Sequence, residues 1–288
     1  MSLAVRARSW ASLVKFSHSV FALPFAAIML VVVSRGGAVL SWRMGFLLLA
    51  CIVSARTAAM GFNRIVDRRI DGQNPRTAGR EIPAGMVSVL EAAALTAVSG
   101  ALFIAFAGLI GRHCLVLAGP VLLLLLGYSL LKRYTAACHF ALGLALACAP
   151  GGVWYAVTGE LSPAPLPLMG AVLAWVAGFD ILYSCQDSEF DRSLGLRSIP
   201  ARFGLGTARL LSALLHVAAV ALLVIFGRQF SLGCAYWGGL ALFALLLASQ
   251  HVAVQRRGIA CIDQVFFTRN GLASVLLCVA VVADGWIG

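Results

Sequence analysis

The stretch from 113 to 131 reads HCLVLAGPVLLLLLGYSLL and contains no Asp, Glu, Lys or Arg. Its length matches the run of about 20 apolar residues that an α-helix needs to cross a bilayer. Eight further apolar runs lie at roughly 17–35, 44–62, 87–110, 137–157, 166–185, 207–227, 232–250 and 268–287. None of these runs alternates in the manner of a barrel strand. The sequence therefore predicts an all-α membrane protein with nine transmembrane helices around a central cavity.

The composition excludes an ordinary soluble domain. The chain has 288 residues, of which 61% are hydrophobic and 11% charged, whereas soluble domains average about 45–50% and roughly 25%. No polar stretch is long enough for a second domain, so we expect one membrane domain over residues 1–288. The first run follows Arg6, Arg8 and Lys15, as in a signal peptide, but further apolar runs come after it. We interpret it as the first helix.

The basic residues predict the orientation of the chain. The net charge is +11, which in a soluble protein would suggest nucleic acid, but here the charges lie between apolar runs. Basic residues are concentrated in cytoplasmic loops of membrane proteins. Those assigned to one side are Arg6, Arg8, Lys15, Arg64, Arg68, Arg69, Arg76, Arg80, Lys132, Arg133, Arg192, Arg197, Arg202, Arg209, Arg256, Arg257 and Arg269. The other side carries Arg35, Arg43, Arg112 and Arg228. We therefore expect a cytoplasmic N-terminus.

Two acidic segments interrupt this apolar chain, and each ends one of the predicted spans. In the first, Asn63, Asp67 and Asp71 are spaced by four, which places them on one stripe of a helix. In the second, Asp187 and Asp191 are spaced by four, and Asp180 lies seven residues earlier on the same expected face.

The segments lie 120 residues apart, and similar phrases follow them, REIPA at 80–84 and RSIPA at 197–201. The spacing suggests a loose internal repeat of helices 1–4 and 5–8, with the working site where the two halves meet.

Carboxylates at the end of a membrane helix cost free energy and are usually functional. Magnesium binds one or two carboxylates together with substrate phosphates. The sequence therefore predicts that two facing acidic stripes hold magnesium and a diphosphate, through Asn63, Asp67, Asp71, Asp187 and Asp191. The alternative is that these acids only pair with their neighbours Arg64, Arg68, Arg69 and Arg192.

The basic residues near these segments have two open interpretations. Arg76, Arg80, Lys132 and Arg133 either neutralise a leaving diphosphate or anchor the loops on the cytoplasmic side. Arg56 lies inside a span, where an arginine is costly unless it is paired. It either pairs with Asp67 or Asp180 or binds a substrate carboxylate.

The remaining polar residues carry weaker expectations. His18 is expected to have a structural role, and Tyr128 has the position of an interfacial tyrosine. The eight cysteines form no CxxC pair and behave as small hydrophobes. The sequence contains no zinc spacing, Rossmann glycine pattern or P-loop.

Several of these stretches resemble the UbiA superfamily of intramembrane prenyltransferases. NRIVDRRID at 63–71, followed by Arg76 and Arg80, resembles its first aspartate-rich motif, and DSEFD at 187–191 resembles its second. YSLLKRYT at 128–135 is similar to the loop between helices 4 and 5 in the 4-hydroxybenzoate branch. One departure is Arg64, where many members carry an aspartate.

Within the superfamily, KFSH at 15–18 through Phe25, with RTAAM at 56–60, is similar to a bacterial group labelled 4-hydroxybenzoate polyprenyltransferase-like. Some of that group act in the futalosine route to menaquinone instead. The acceptor therefore stays open between the two routes.

The resemblance implies magnesium-dependent transfer of a polyprenyl group from polyprenyl diphosphate to an aromatic carboxylate, 4-hydroxybenzoate or a relative, in ubiquinone or menaquinone synthesis. It places the protein in the bacterial cytoplasmic membrane, among lipid, with the active site opening to the cytoplasm. The implied catalytic residues are Asp67, Asp71, Asp187 and Asp191, with Asp180 shaping the acceptor pocket or acting as a base. The implied substrate-binding residues are Asn63, Arg56, Arg76, Arg80, Lys132, Arg133 and Tyr128.

Other classes of membrane protein also carry acids. An ion- or proton-coupled transporter places them near the bilayer midplane in broken helices, whereas here they lie at predicted helix ends beside arginines. A CDP-alcohol phosphotransferase keeps its acids in one compact motif, and prenylation of a different acceptor remains a third alternative.

Overall fold

The structure is a computed structural model that describes residues 12–13 and 21–287, with the side chains at 260, 263–267 and 287 outside the description. Its helices are α1 (Leu23–Arg35), α2 (Trp42–Gln73), α3 (Val89–Ile110), α4 (Arg112–Leu131), α5 (Cys138–Thr158), α6 (Leu166–Ser184), α7 (Ser188–Ser193), α8 (Ile199–Gln229), α9 (Cys234–Arg257) and α10 (Ile262–Ile287). Two 3₁₀ turns, Cys185–Asp187 and Ile259–Cys261, stand between them. The described ranges contain no β-strand.

Eight helices within the described ranges are long and apolar enough to cross a membrane, and Leu23–Arg35 is a shorter apolar helix. Each predicted run corresponds to one of these nine, which confirms the all-α membrane class. The first run was predicted from 17, and its start, with Lys15 and His18, lies outside the described residues.

The helix bounds differ from the predicted runs where charge or conformation is involved. Helix α2 ends at Gln73 rather than at 62, because the helix continues past the apolar run through the segment that contains Asn63, Asp67 and Asp71. Helix α8 begins at Ile199 rather than at 207, with a kink at Gly204 where φ is 84°. Glycine reaches this φ without the steric cost that a side chain would add.

The chain divides into two compact units. One comprises Leu40–Leu130 together with the described residues Ser12 and Leu13. In it, α2 packs along α3. Ser41 caps α2 by accepting a hydrogen bond from Met44 N at 3.1 Å. Ser88 and Glu91 form a capping box that starts α3.

The second unit comprises Val20–Val39 and Leu131–Gly288. Helix α6 packs against both α5 and α8, while α1 packs against α5 and α10. The core contains the fully buried Trp175, whose ring lies 4.9 Å from that of Phe179 and 5.1 Å from that of Phe25. Trp175 Nε1 donates to Asn270 Oδ1 at 3.0 Å, which satisfies both buried groups.

Candidate active site

The first acidic stripe lies on the last three turns of α2. The helix is continuous through Asn63, Asp67 and Asp71, as the spacing predicts. Asn63 Nδ2 donates to Asp67 Oδ2 at 3.0 Å, which fixes the two side chains one turn apart. Asn63 and Asp67 are half-buried, so oxygen atoms line a partly accessible face of this helix end.

The loop after α2 folds back and brings an arginine to the end of the stripe. Asn74 Oδ1 accepts from Arg76 N at 3.0 Å, and Thr77 Oγ1 donates to Asp71 O at 3.1 Å. This turn places Arg80 Nη1 2.7 Å from Asp71 Oδ1. The other oxygen, Asp71 Oδ2, is buried and has no hydrogen-bond partner among the described residues. Asp71 therefore holds one oxygen in an ion pair and presents a second that needs a partner.

Arg64 was expected to lie among the loop arginines, and its position here is different. Its side chain is only 2% exposed, and Nε lies 3.7 Å from Glu81 Oε2. Glu81 is also buried and accepts from Ser12 Oγ at 2.6 Å. Arg64, which departs from the family pattern, is therefore a buried partner of Glu81, the acid in REIPA.

Arg56 and Tyr128 belong to the same unit and interact electrostatically. Both are half-buried. The Tyr128 phenol is therefore one group near the Arg56 guanidinium. Its predicted partners, Asp67, Asp180 or a substrate carboxylate, stay open. Arg76 is exposed in the loop after α2.

The second acidic segment does not lie on one regular α-helix, and the shared face of Asp180, Asp187 and Asp191 stays a prediction. Helix α6 ends at Ser184, the 3₁₀ turn Cys185–Asp187 follows, and α7 begins at Ser188. Ser184 Oγ donates to Ile181 O at 2.8 Å, a local bond that competes with continuation of the helix. The seven-residue spacing from Asp180 to Asp187 therefore includes one 3₁₀ turn.

Asp191 is the most buried of the candidate acids, at 1% exposure, and it has two partners. Ser198 Oγ donates to Asp191 Oδ2 at 2.6 Å. Lys132 Nζ lies 2.8 Å from Asp191 Oδ1, as an ion pair without directed hydrogen-bond geometry. Asp191, a candidate metal ligand, is therefore paired with Lys132, a candidate diphosphate-binding cation, as Asp71 is paired with Arg80.

The turn that carries Lys132 is fixed by the RSIPA phrase. Arg197 N donates to Lys132 O at 2.8 Å, and Arg197 Nη1 donates to Tyr134 O at 2.9 Å. Arg133 is half-buried in the same turn. The two similar phrases thus act differently, since Arg80 binds a carboxylate whereas Arg197 binds backbone carbonyls.

Asp187 and Asp180 complete the second segment. Asp187 is buried, while Glu189 is exposed, as expected for a solvated acid. Asp180 Oδ2 lies 2.6 Å from His139 Nδ1, and the Asp180 side chain is 27% exposed. His139 was not selected from the sequence, where it is one histidine in an apolar run. The signal that would have found it is the cost of an ionisable residue inside a span.

The donor set suits magnesium in part. No three His, Cys, Asp or Glu side chains within the described ranges form a group that could hold a metal ion unaided. Magnesium does not require such a cage, because it keeps waters and takes oxygen from one or two carboxylates and from substrate phosphates. Asp71 Oδ2, buried and without a hydrogen bond, is an oxygen that a hard cation would satisfy. The residues present therefore fit a magnesium ion that takes some of its ligands from these side chains and the others from a phosphorylated substrate.

These observations define a multi-pass membrane protein with acidic and basic side chains joined at helix ends. Residues 22–272 match the model of the UbiA prenyltransferase family. The chain belongs to this family and is a prenyltransferase.

Curated and solved relatives agree with this assignment. The chain is 28% identical over 244 residues to 4-hydroxybenzoate octaprenyltransferase of Aliivibrio fischeri, covering 84% of this chain and 85% of that protein. It superposes on a UbiA homolog from Aeropyrum pernix with a TM-score of 0.85 and 33% identity, covering 93% and 98% of the two chains. A UbiA homolog from Archaeoglobus fulgidus bound to GPP and Mg²⁺ shares the fold, with a TM-score of 0.70, 18% identity and coverage of 96% and 99%.

Proposed function

We propose that this protein transfers a polyprenyl group from polyprenyl diphosphate to 4-hydroxybenzoate or a related aromatic carboxylate, with magnesium, in quinone synthesis at the bacterial inner membrane. The observation that carries the proposal is the pairing of candidate metal ligands with candidate diphosphate cations, Asp71 with Arg80 and Asp191 with Lys132. The name of the Aliivibrio fischeri relative supports the acceptor. The GPP and Mg²⁺ bound to the Archaeoglobus fulgidus homolog support the donor and the metal.

In this proposal, the two acidic segments belong to one membrane domain and bind one diphosphate from the cytoplasmic side. Asp67, Asp71, Asp187 and Asp191, with Asn63, would hold magnesium. When bound, it supplies Lewis-acid stabilisation of negative charge on the diphosphate oxygens. Arg76, Arg80, Lys132 and Arg133 share that charge as the diphosphate leaves.

The ion pairs give the basic residues a defined starting position. With substrate absent, Arg80 and Lys132 neutralise Asp71 and Asp191, so neither charge is left unpaired in a membrane protein. With substrate bound, the same cations would contact phosphate oxygens, and the Asp71 and Asp191 carboxylates would be free to hold magnesium. Cations close to the departing diphosphate stabilise the negative charge that develops on it.

The reaction then follows from the groups present. The bond between the allylic carbon and the diphosphate oxygen breaks, and its electron pair stays on the diphosphate. A ring carbon of the aromatic acceptor attacks the allylic cation and forms the new carbon–carbon bond. The ring proton passes to Asp180. Arg56, beside Tyr128, holds the acceptor carboxylate, and the isoprenoid tail lies along apolar helix walls.

Purified protein with a polyprenyl diphosphate, Mg²⁺ and 4-hydroxybenzoate should form a prenylated product, identified by mass spectrometry. Asp67→Asn and Asp187→Asn should abolish the product, while Glu189→Gln, which removes an exposed acid of the same segment, should not. Full turnover in both aspartate variants would remove the metal assignment. Product formed only with another aromatic carboxylate would reassign the acceptor, and cation-dependent flux of a solute in liposomes without any product would favour a transporter.

A further inference from the structure

His139 connects two helices of the second unit, α6 and α8. The proposed mechanism gives a role to Asp180 on α6 but none to the start of α8. His139 lies in the first turn of α5 and is 2% exposed. Its Nδ1 lies 2.6 Å from Asp180 Oδ2 on α6. Its Nε2 accepts the backbone N–H of Ile199 at 3.2 Å, at the start of α8. One imidazole therefore contacts both a carboxylate and a helix N-terminus.

These two contacts determine the tautomer of His139. A backbone N–H is always a donor, so Nε2 must be the unprotonated acceptor. The ring proton is then on Nδ1, which donates to the Asp180 carboxylate. With Nε2 already occupied, His139 has no free lone pair with which to accept a proton from a substrate. The group with an accessible oxygen is Asp180, whose side chain is 27% exposed.

The Ile199 contact also satisfies a backbone donor at the start of α8. Ser198 is the N-cap residue of α8, but its side chain makes no cap hydrogen bond, and its hydroxyl donates to Asp191. Pro200 has no N–H to satisfy. His139 accepts the N–H of Ile199, one of the N-terminal donors that have no partner within the helix. The position of Ser198, and through it of Asp191, is thus tied to the same imidazole.

We infer that His139 is a positioning residue that orients Asp180 toward the aromatic acceptor through Nδ1–H, while its Nε2 holds the start of α8. The inference rests on the proposed function, since it assigns how Asp180 is aimed in that reaction. Removing the hydrogen-bond partner of a metal-ligating side chain typically costs about 10- to 100-fold in metal affinity or activity, and we take the same size for the partner of Asp180. We expect a loss of that size in kcat/KM for the acceptor when the Nδ1–H donor is removed.

The substitutions that separate the two contacts are His139→Asn and His139→Leu. The Asn amide nitrogen reaches the position of Nδ1 and keeps the donor to Asp180, whereas Leu keeps neither contact. We expect His139→Leu to lower kcat/KM for the acceptor by about 10- to 100-fold. Both variants lose the contact with Ile199, so any rise in the KM for the polyprenyl diphosphate should be the same in His139→Leu and His139→Asn. His139→Asn should restore most of the acceptor kinetics.

His216→Asn is the matched control. His216 is another buried histidine of the same unit, bonded to His251 and to Trp175 O rather than to an acid. Its replacement should affect thermal stability without a selective change in acceptor kinetics. If His216→Asn lowered kcat/KM for the acceptor as selectively as His139→Leu does, the His139 result would be explained by a general disturbance of the fold rather than by the contact with Asp180.

A double-mutant cycle decides whether His139 acts through Asp180. The combination of Asp180→Asn with His139→Leu should be no slower than Asp180→Asn alone, because residues that act as a unit are not additive. Additive losses, or an unchanged acceptor KM and kcat in Asp180→Asn, would overturn the inference while leaving prenyl transfer intact.

Nitrogen-15 NMR of labelled histidine tests the same assignment without turnover, so it remains decisive if the wild type forms no product and the proposed function fails. We expect His139, identified by loss of its signals in His139→Asn, to be the neutral Nδ1–H tautomer, with an Nδ1 proton signal that moves in Asp180→Asn. The Nε2–H tautomer, or an Nδ1 proton that ignores Asp180→Asn, would contradict the inference.

Discussion

Lys132 Nζ lies 2.8 Å from Asp191 Oδ1, so a basic residue just after α4 neutralises the most buried acid of the second aspartate segment. The first segment has a counterpart, since Arg80 Nη1 lies 2.7 Å from Asp71 Oδ1. In both cases the last acid of the segment forms an ion pair with a basic residue. The two pairs suggest cations that exchange a carboxylate for a phosphate when substrate arrives.

Lys132→Met tests this exchange in the second segment. The substitution keeps the length of the side chain and removes its charge, so we expect turnover to fall by about 100-fold, the size seen when one group that stabilises developing charge is lost. Steady-state kinetics with varied polyprenyl diphosphate would measure the effect. Arg192→Gln is the control, because Arg192 is exposed and donates to a backbone carbonyl, Ala201 O, rather than to a candidate acid. Wild-type turnover in Lys132→Met would assign Lys132 to topology alone.

Arg80→Gln and Arg80→Lys test the first segment. Gln removes the charge that pairs with Asp71, whereas Lys keeps a charge but loses the planar guanidinium. We expect Arg80→Gln to lose activity by at least about 10-fold and Arg80→Lys to keep more of it. Arg68→Gln, which removes an arginine bonded to the Ile65 carbonyl, should have a small effect. Equal losses in Arg80→Gln and Arg68→Gln would argue against a specific role for Arg80.

Glu81→Leu should destabilise the protein through Arg64. The substitution leaves the buried Arg64 guanidinium without its acid, and breaking a buried ion pair in this way typically costs about 3–5 kcal/mol. Thermal or denaturant unfolding in detergent would measure the loss. The double variant Arg64→Met with Glu81→Leu removes both charges and should recover much of it. Failure of the double variant to recover any stability would show that packing, rather than the ion pair, holds this region.

Gly143→Val should separate α5 from α6. A Cβ at Gly143 would lie 2.5 Å from Leu173 O, a distance that requires the backbones to move apart. Because His139 lies one turn earlier on α5, the shift should weaken its contact with Asp180. We expect lower kcat/KM for the aromatic acceptor together with lower thermal stability. Gly152→Val on the same helix meets no atom within 4 Å and is the control. Equal behaviour of the two variants would contradict this explanation.

Chelation of divalent metal should separate activity from folding. With EDTA we expect prenyl transfer to stop and to return with added Mg²⁺, because the ion is needed for the leaving diphosphate. Thermal unfolding without substrate should change little, since the ion takes part of its ligands from substrate. Turnover that persists in EDTA would exclude a divalent-metal mechanism. A large drop in unfolding temperature would indicate a structural metal instead.

The apolar runs and the four-residue spacing of Asn63, Asp67 and Asp71 were sufficient to predict the spans and the first stripe. Hydrophobic length and helical period are local properties of the chain, so sequence alone expresses them. The same reasoning missed the break between Asp180 and Asp187, because a seven-residue spacing assumes a continuous α-helix. The 3₁₀ turn at Cys185–Asp187 breaks that assumption.

Arg64 and His139 could not be placed from the sequence for a different reason. Both are defined by partners far away in the chain, Glu81 for Arg64 and Asp180 for His139. The preference of basic residues for cytoplasmic loops made Arg64 look like an ordinary topology signal. Only tertiary packing reveals that it is buried.

The central claim is that both acidic segments bind a single magnesium diphosphate. An experimental structure with Mn²⁺ and a non-hydrolysable prenyl thiodiphosphate tests it most directly, because the anomalous signal of manganese locates the ions. We predict that Asp67 and Asp187 both ligate ions that touch the same diphosphate. Ions and diphosphate held by one segment alone, with the other aspartate far from them, would contradict the account.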